Sequence, residues 1–307
     1  MTSMRRNYVY LFNQTSFILG LGIIFGLILP QGAPWTKLAI TPILILIMTV
    51  SLIDVPSKVL LDFKKILVPT MLSITLNYIV LSGTLIGLSA LLLHDDVLWA
   101  GSVLNAAVPP PVAAIPFTIH LGGNASFALI GSVVAYIASL AITPFISLSL
   151  LEATLVDPQK LLIILAELII TPLVISRLLQ FTSVAPAIEK TRRHIVSWGF
   201  FLLSYTIMGL NRDAFLGEPE TLLRLSLISF IASFVLAYLI NITARLLKVD
   251  KATRISLVMM GTRKNVGLAA AMALTLFGPR AVMPAAVFMT INIIQFILLT
   301  LWIKRIR

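Results

Sequence analysis

A chain of 307 residues that is 59% hydrophobic and only 11% charged, with a mean hydropathy of +1.03, is too apolar for a water-soluble globular protein and is expected to lie in a membrane. The lack of cysteine excludes disulfides, thiolate metal sites and cysteine nucleophiles. The formal net charge of +11 comes from short basic clusters between apolar runs, a pattern of membrane topology and not of nucleic-acid binding.

The N-terminus, MTSMRRNYVYLFNQTSFILGLGIIFGLILP, has a basic start and an apolar run. A cleaved signal peptide is the alternative, but the run is long and no small-x-small cleavage site follows, so it reads as a retained first span. The spans predicted after it are Leu38–Ile53, Ile66–Leu93, Val97–Leu121, Ala125–Leu151, Lys160–Phe181, Ile195–Leu210, Thr221–Leu247, Lys251–Phe277 and Ala281–Ile303, which with Tyr8–Leu29 makes ten helices. The second and seventh are short, and the third and eighth are long. The chain therefore divides into two five-helix halves with one rhythm, 1–151 (helices 8–53 and 66–151) and 152–307 (helices 160–210 and 221–303).

An even number of spans puts both termini on one side. Sixteen lysines and arginines fall on that side and five on the other, so the positive-inside rule places both termini in the cytoplasm, as for a multi-pass protein of the cell (inner) membrane. Arg263 and Lys264 remain inside the bilayer. With five spans per half, the second half enters from the opposite face, so an internal repeat must be inverted. Such a repeat sets DVLWAGSVLNAAVPPPVAA (Asp96 to Ala114) against DKATRISLVMMGTRKNVGL (Asp250 to Leu268), pairing Asp96 with Asp250, Ser102 with Ser256, and the three prolines with Arg263, Lys264 and Asn265.

Pro109, Pro110 and Pro111 cannot continue a helix, because each removes an amide donor and clashes with the preceding turn. The fourth span must break at mid-membrane. In the ninth span, GTRKNVG supplies two glycines, a threonine and an asparagine at the matching depth. A simple kink is the alternative for one such feature, but paired interruptions in two inverted halves point to a transporter binding site at the midplane.

Lys264 lies about 13 residues, roughly 20 Å, from either end of its span, too far to snorkel to the headgroups. A cation at that depth costs at least ~2.5–3.5 kcal/mol on insertion scales, so partners are expected. Asn77, half-helix carbonyl ends and Glu167 are the candidates. Glu167 is the one acidic residue predicted within a span; it is a possible counterion or proton carrier, or lies nearer the surface on a tilted helix. His94, His120 and His194 have no metal-ligand spacing and read as surface residues.

Two segments, AAVPPPVAAIPFTIHLGGNASFALIGSVVAYIASLAITP (Ala106 to Pro144) and GTRKNVGLAAAMAL (Gly261 to Leu274), together with Asn77, resemble the bile acid:sodium symporter family and its wider bile/arsenite/riboflavin superfamily. The resemblance implies an all-α membrane fold of ten helices in two inverted repeats. Helices one, two, six and seven would form a panel, and three to five and eight to ten a core in which broken helices four and nine cross. It also implies transport of organic anions by alternating access, driven by two sodium ions. The chain departs from the family at those ions. At the first site Ala114, Ile115 and Ala128 replace polar residues and only the hydroxyl of Ser132 is kept. At the second, Met260 replaces a glutamate and Lys264 a glutamine, with Asn77 a shortened glutamine. The first site keeps too few oxygens for a hard cation, and at the second the loss of the carboxylate removes the charge that holds sodium.

The Lys264 ammonium is therefore expected to supply the charge that sodium supplies in the family, with no sodium needed. A buried lysine can also release its proton, so proton coupling stands beside facilitated transport. Substrate is expected beside the crossing, near Pro110, Pro111, Val112, Arg263, Asn265 and Asn292, where free amides and a cation suit a carboxylate or sulfonate. Interhelical hydrogen bonding is the alternative role for Asn265 and Asn292. No cofactor is expected. An arsenite exporter is disfavoured by the missing thiolate, and an intramembrane enzyme by the lack of a nucleophile with a base or a metal cluster. A non-transporting sensor, with lysine freezing one conformation, is the remaining alternative.

Overall fold

In a computed structural model the described residues are 18–53, 63–111, 114–151 and 157–305. The start of the first predicted span, Tyr8 to Phe17, and Val112 lie outside them. Among the described residues the chain is helical, without strands. The helices are α1 (Ile18–Ile28), α2 (Pro30–Leu52), α3 (Ile66–Leu92), α4 (Asp96–Ala107), α5 (Ala114–His120), α6 (Ala125–Leu150), α7 (Pro158–Gln180), α8 (Ala185–Leu210), α9 (Arg212–Gly217), α10 (Pro219–Leu246), α11 (Lys251–Gly261), α12 (Val266–Phe277) and α13 (Pro279–Thr300). Six of these, α2, α3, α6, α7, α10 and α13, are long and apolar enough to cross a membrane.

Two expectations change. The second and seventh spans are not short: α2 has 23 residues and α8 has 26. Turns of 3₁₀ helix at Pro30–Gly32 and Lys37–Ala39 carry α2 back past the proline and lysine that seemed to stop it. In α8 the charged stretch Glu189 to His194 stays helical, since a helix need not end where its apolar part does.

The chain forms two compact units, the described parts of Met1–Asp54 with Gln159–Glu218, and of Val55–Pro158 with Pro219–Arg307. In the first, α1 lies close on α8 through Gly22 and Gly26. A Cβ at Gly22 would overlap the Ser204 hydroxyl, and one at Gly26 the Tyr205 carbonyl, as in the small-xxx-small contacts of membrane helices. The Thr36 and Thr206 hydroxyls, 2.6 Å apart, tie α2 to α8.

In the second unit both predicted breaks are present. The chain is non-helical from Val108 to Pro111, and again from Thr262 to Asn265. Each broken helix starts on an aspartate cap: Asp95 accepts from the Val97 and Leu98 amides at 2.9 Å, and Asp250 from the Thr253 amide at 3.0 Å. Their docking is reciprocal. Asp95 pairs with Arg280, at the start of α13, at 2.9 Å, while the Asn124 amide ahead of α6 donates to the Ala252 carbonyl at 3.0 Å. Gly101 lets α4 approach this linker, since a Cβ there would run into the Ala281 carbonyl.

Burial pulls the Asp95 carboxyl upward, but hydrogen bonds from the Leu98 amide and Arg280, and the charge of Arg280, hold it below the ordinary carboxylate value. A depressed folded-state value means a contribution present above the unfolded value, near 3.9, and lost as pH falls through the folded one. Acid melting curves are therefore expected to show wild type losing stability below about pH 4 relative to Asp95→Asn. Parallel curves for the two proteins would contradict this role.

Candidate functional site

The two breaks touch. The Asn265 amide donates to the Pro109 carbonyl at 2.7 Å, which can accept because the chain is non-helical there and leaves that carbonyl without an intrahelical amide. From this junction Arg263 and Lys264 project into different surroundings, 5% and 2% exposed.

Lys264 Nζ donates to the Asn77 side-chain oxygen at 2.7 Å, the Ser82 hydroxyl at 2.9 Å, the Val108 carbonyl at 3.0 Å and the Asn77 carbonyl at 3.1 Å. It also sits 4.7 Å from the Tyr78 ring centroid, within cation–π range. Each acceptor has a structural origin. Val108 follows the end of α4, where carbonyls lose their helical partners. Asn77 lies in a π-helical segment, Thr75–Leu81, whose wider turn leaves its carbonyl able to meet the lysine. Asn77 Nδ2 donates to the carbonyls of Met260 at 3.0 Å and Arg263 at 2.9 Å, which spends both amide hydrogens and turns Oδ1 toward Lys264. Ser82 gives its own hydrogen to the Ala106 carbonyl at 2.7 Å or to the Asn77 carbonyl at 3.0 Å. The amine thus faces only acceptors, a cage for a charged ammonium with three donors.

Arg263 is held differently. Its guanidinium reaches the Asn292 carbonyl and Gln295 Oε1, both at 3.3 Å, and lies 5.4 and 5.6 Å from the Phe117 and Phe296 ring centroids. Its Nε has no partner, and neither has Asn292 Oδ1. Gln295 is fixed by donating to the Ser233 carbonyl at 2.6 Å, and Asn292 Nδ2 reaches the Phe288 carbonyl at 2.9 Å and the Ser233 hydroxyl at 3.3 Å. Ser233 belongs to another π-helical segment, Ile231–Val235, in α10.

Asn265 caps α12 by accepting from the Leu268 amide at 3.2 Å and donates to the Tyr136 hydroxyl at 3.2 Å. Pro110 is buried and Pro111 half-buried, and the Pro111 carbonyl accepts the Ala114 amide at 2.9 Å. Of the positions that the resemblance sets against sodium sites, Ala114, Ala128 and Met260 are fully buried, Ile115 is half-buried, and the Ser132 hydroxyl rests on the Met260 sulfur at 3.5 Å. A thioether and alkyl groups are poor ligands for a hard cation, and one hydroxyl oxygen is too few to hold it. Among the described residues no group of three or more acidic or histidine side chains comes together.

Glu167 is exposed, within the π-helical segment Ala166–Ile170 of α7. The Lys264 ammonium is held within the second unit by neutral acceptors, among them carbonyls that the broken helix and the π segment free. His120 is half-buried, with its ring 5.8 Å from that of Phe296, and is not the surface residue expected. The Val108 carbonyl is one of the half-helix ends expected to meet the amine; Tyr78, Ser82, Gln295 and the Phe117–Phe296 pair were not anticipated. Gln295 alone left a sequence signal, as a polar residue one turn from Asn292 in an apolar span.

The model of the SBF-like CPA transporter family matches residues 33–305. No curated protein matches the chain.

Proposed function

The chain belongs to the SBF-like CPA transporter family, and from that premise we propose that it carries small organic anions across the membrane by alternating access, without sodium. It is a multi-pass membrane transporter, with six helices long and apolar enough to span the bilayer. The observation that carries the finer reading is the Lys264 ammonium, held by four neutral oxygens at 2.7–3.1 Å at the contact of the two breaks. This is the arrangement a dissolved cation would need, met by a tethered one.

Arg263 is the group for the substrate. It is a buried cation whose neighbours are neutral, whose bonds are long and whose Nε–H is unspent, so a carboxylate or sulfonate gains a charge-assisted hydrogen bond there. Asn292 and Asn265 stand on either side of that role, with Pro110 and Pro111 framing the junction. The cage of acceptors favours a lysine that stays charged, and so a facilitator over a proton-coupled carrier. The distribution of basic residues supports a topology with both termini in the cytoplasm.

Uptake of labelled carboxylates and sulfonates into proteoliposomes tests this. Exchanging sodium for potassium or choline is expected to leave the rate unchanged, and a sodium-dependent rate contradicts the assignment. An absence of flux under every imposed gradient would leave the non-transporting sensor.

A further inference from the structure

Apart from the crossing, the second unit holds a small cavity between α3, α4, α10 and α13, lined by Ser89, Ser102, Asn105, Ser229, Leu85 and Pro284 among others. It has room for about one water molecule. Asn105 and Ser89 are 2% and 1% exposed, yet Asn105 Oδ1 and Ser89 Oγ have no hydrogen-bond partner in the protein. The Ser102 and Ser229 side chains, also buried, face the same space. Orphaned polar groups in an apolar core are strongly unfavourable, and two of them, with two further buried serines around the same space, call for an occupant.

Charge and hydrogen-bond chemistry select its class. Three hydroxyls and a carboxamide all both donate and accept, which suits a ligand that does the same. No acidic or basic side chain lines the space. The Lys264 ammonium is close: it bonds Ser82, and Ser82 bonds the carbonyl of Ala106, next to Asn105. A second cation would be repelled across that low-dielectric distance. An anion would face the unpaired Asn105 oxygen.

A route from solvent would start at the helix ends. One turn beyond Ser89 and Ser102, Leu93 and Trp99 line a hollow at the helix ends with Ala90, His94, Asp95 and Asp96. We infer that the cavity is an internal hydration site, occupied by water and not by an ion, and filled through the hollow at Leu93–Asp96. The inference stands whether or not the chain transports anions. A water there lets the α3–α4 seam, already joined through Ser82, change its hydrogen bonds without stranding polar groups.

The absence of cysteine makes the test direct. In Ser102→Cys, and separately in Ser229→Cys, the rate of thiol modification by silver ion is compared with that in Val103→Cys, whose parent side chain is fully buried beside Ser102. A hydrated site predicts modification at least about tenfold faster than the control, because thiolate forms only where water reaches. Equal rates in both serine variants overturn the inference. Anomalous density from rubidium in the cavity of a crystal soaked in that cation overturns the assignment to water.

Discussion

Lys264→Met is expected to destabilise the protein by on the order of 3 kcal/mol and to abolish transport, although methionine nearly matches lysine in length. The loss comes from the acceptors left behind. Asn77 Oδ1 points at the amine because its Nδ2 is committed to the Met260 and Arg263 carbonyls, so it cannot turn to find another donor. The Val108 carbonyl, beyond the end of α4, likewise loses the donor it has. Each orphaned buried acceptor costs about 1–3 kcal/mol. Ser82 and the Asn77 carbonyl keep each other and lose less. Because the amine joins α3, α4 and the α11–α12 break at one point, the same substitution unties the junction at which substrate is proposed to bind. Chemical denaturation and uptake measured on one preparation check both parts; a variant with normal melting and normal flux would show the cage to be incidental.

Arg263→Leu is expected to do the reverse to stability while also stopping transport. The guanidinium is buried with no carboxylate among its partners, its two hydrogen bonds are 3.3 Å long, and its Nε is unpaired. Removing an uncompensated cation from mid-membrane recovers at least ~2.5–3.5 kcal/mol on insertion scales, against two weak hydrogen bonds and its contacts with Phe117 and Phe296, between which leucine packs. Melting temperature should hold or rise. Anion uptake should fall at least about a hundredfold, equivalent to roughly 2.7 kcal/mol, the size of a hydrogen bond to a charged group. A loss of stability as large as that of Lys264→Met would make Arg263 a structural residue. The opposed signs at neighbouring cations separate the two roles more sharply than either variant alone.

The first break was legible in the sequence because proline acts locally, three in a row removing three amide donors whatever surrounds them, and the second because GTRKNVG sets two glycines and two cations inside an apolar span. Lys264 was legible because depth in a span follows from counting residues, and Asn77 because few polar side chains share that depth. The rest of the cage was not. A half-helix carbonyl was expected, but that it is Val108, and that Ser82 joins it, is set only when α3 and α4 pack, and the π segments at Thr75–Leu81 and Ile231–Val235 lie in apolar sequence with no turn signal. They depend on a register shift that tertiary contacts impose. The start of α8 at Ala185 was missed because hydropathy marks where a bilayer would end and not where a helix does. The clamp on Arg263 combines Phe117 from α5 with Phe296 from α13, residues that read singly as ordinary apolar positions.

The melting temperatures of wild type and Lys264→Ala, measured in detergent with sodium chloride or with choline chloride at equal ionic strength, test most directly whether the lysine stands in a cation's place. Alanine opens the space bounded by the two Asn77 oxygens, Ser82 and Val108. Sodium should then stabilise the variant and leave the wild type unchanged. Stabilisation of the wild type by sodium, with none in the variant, would contradict it.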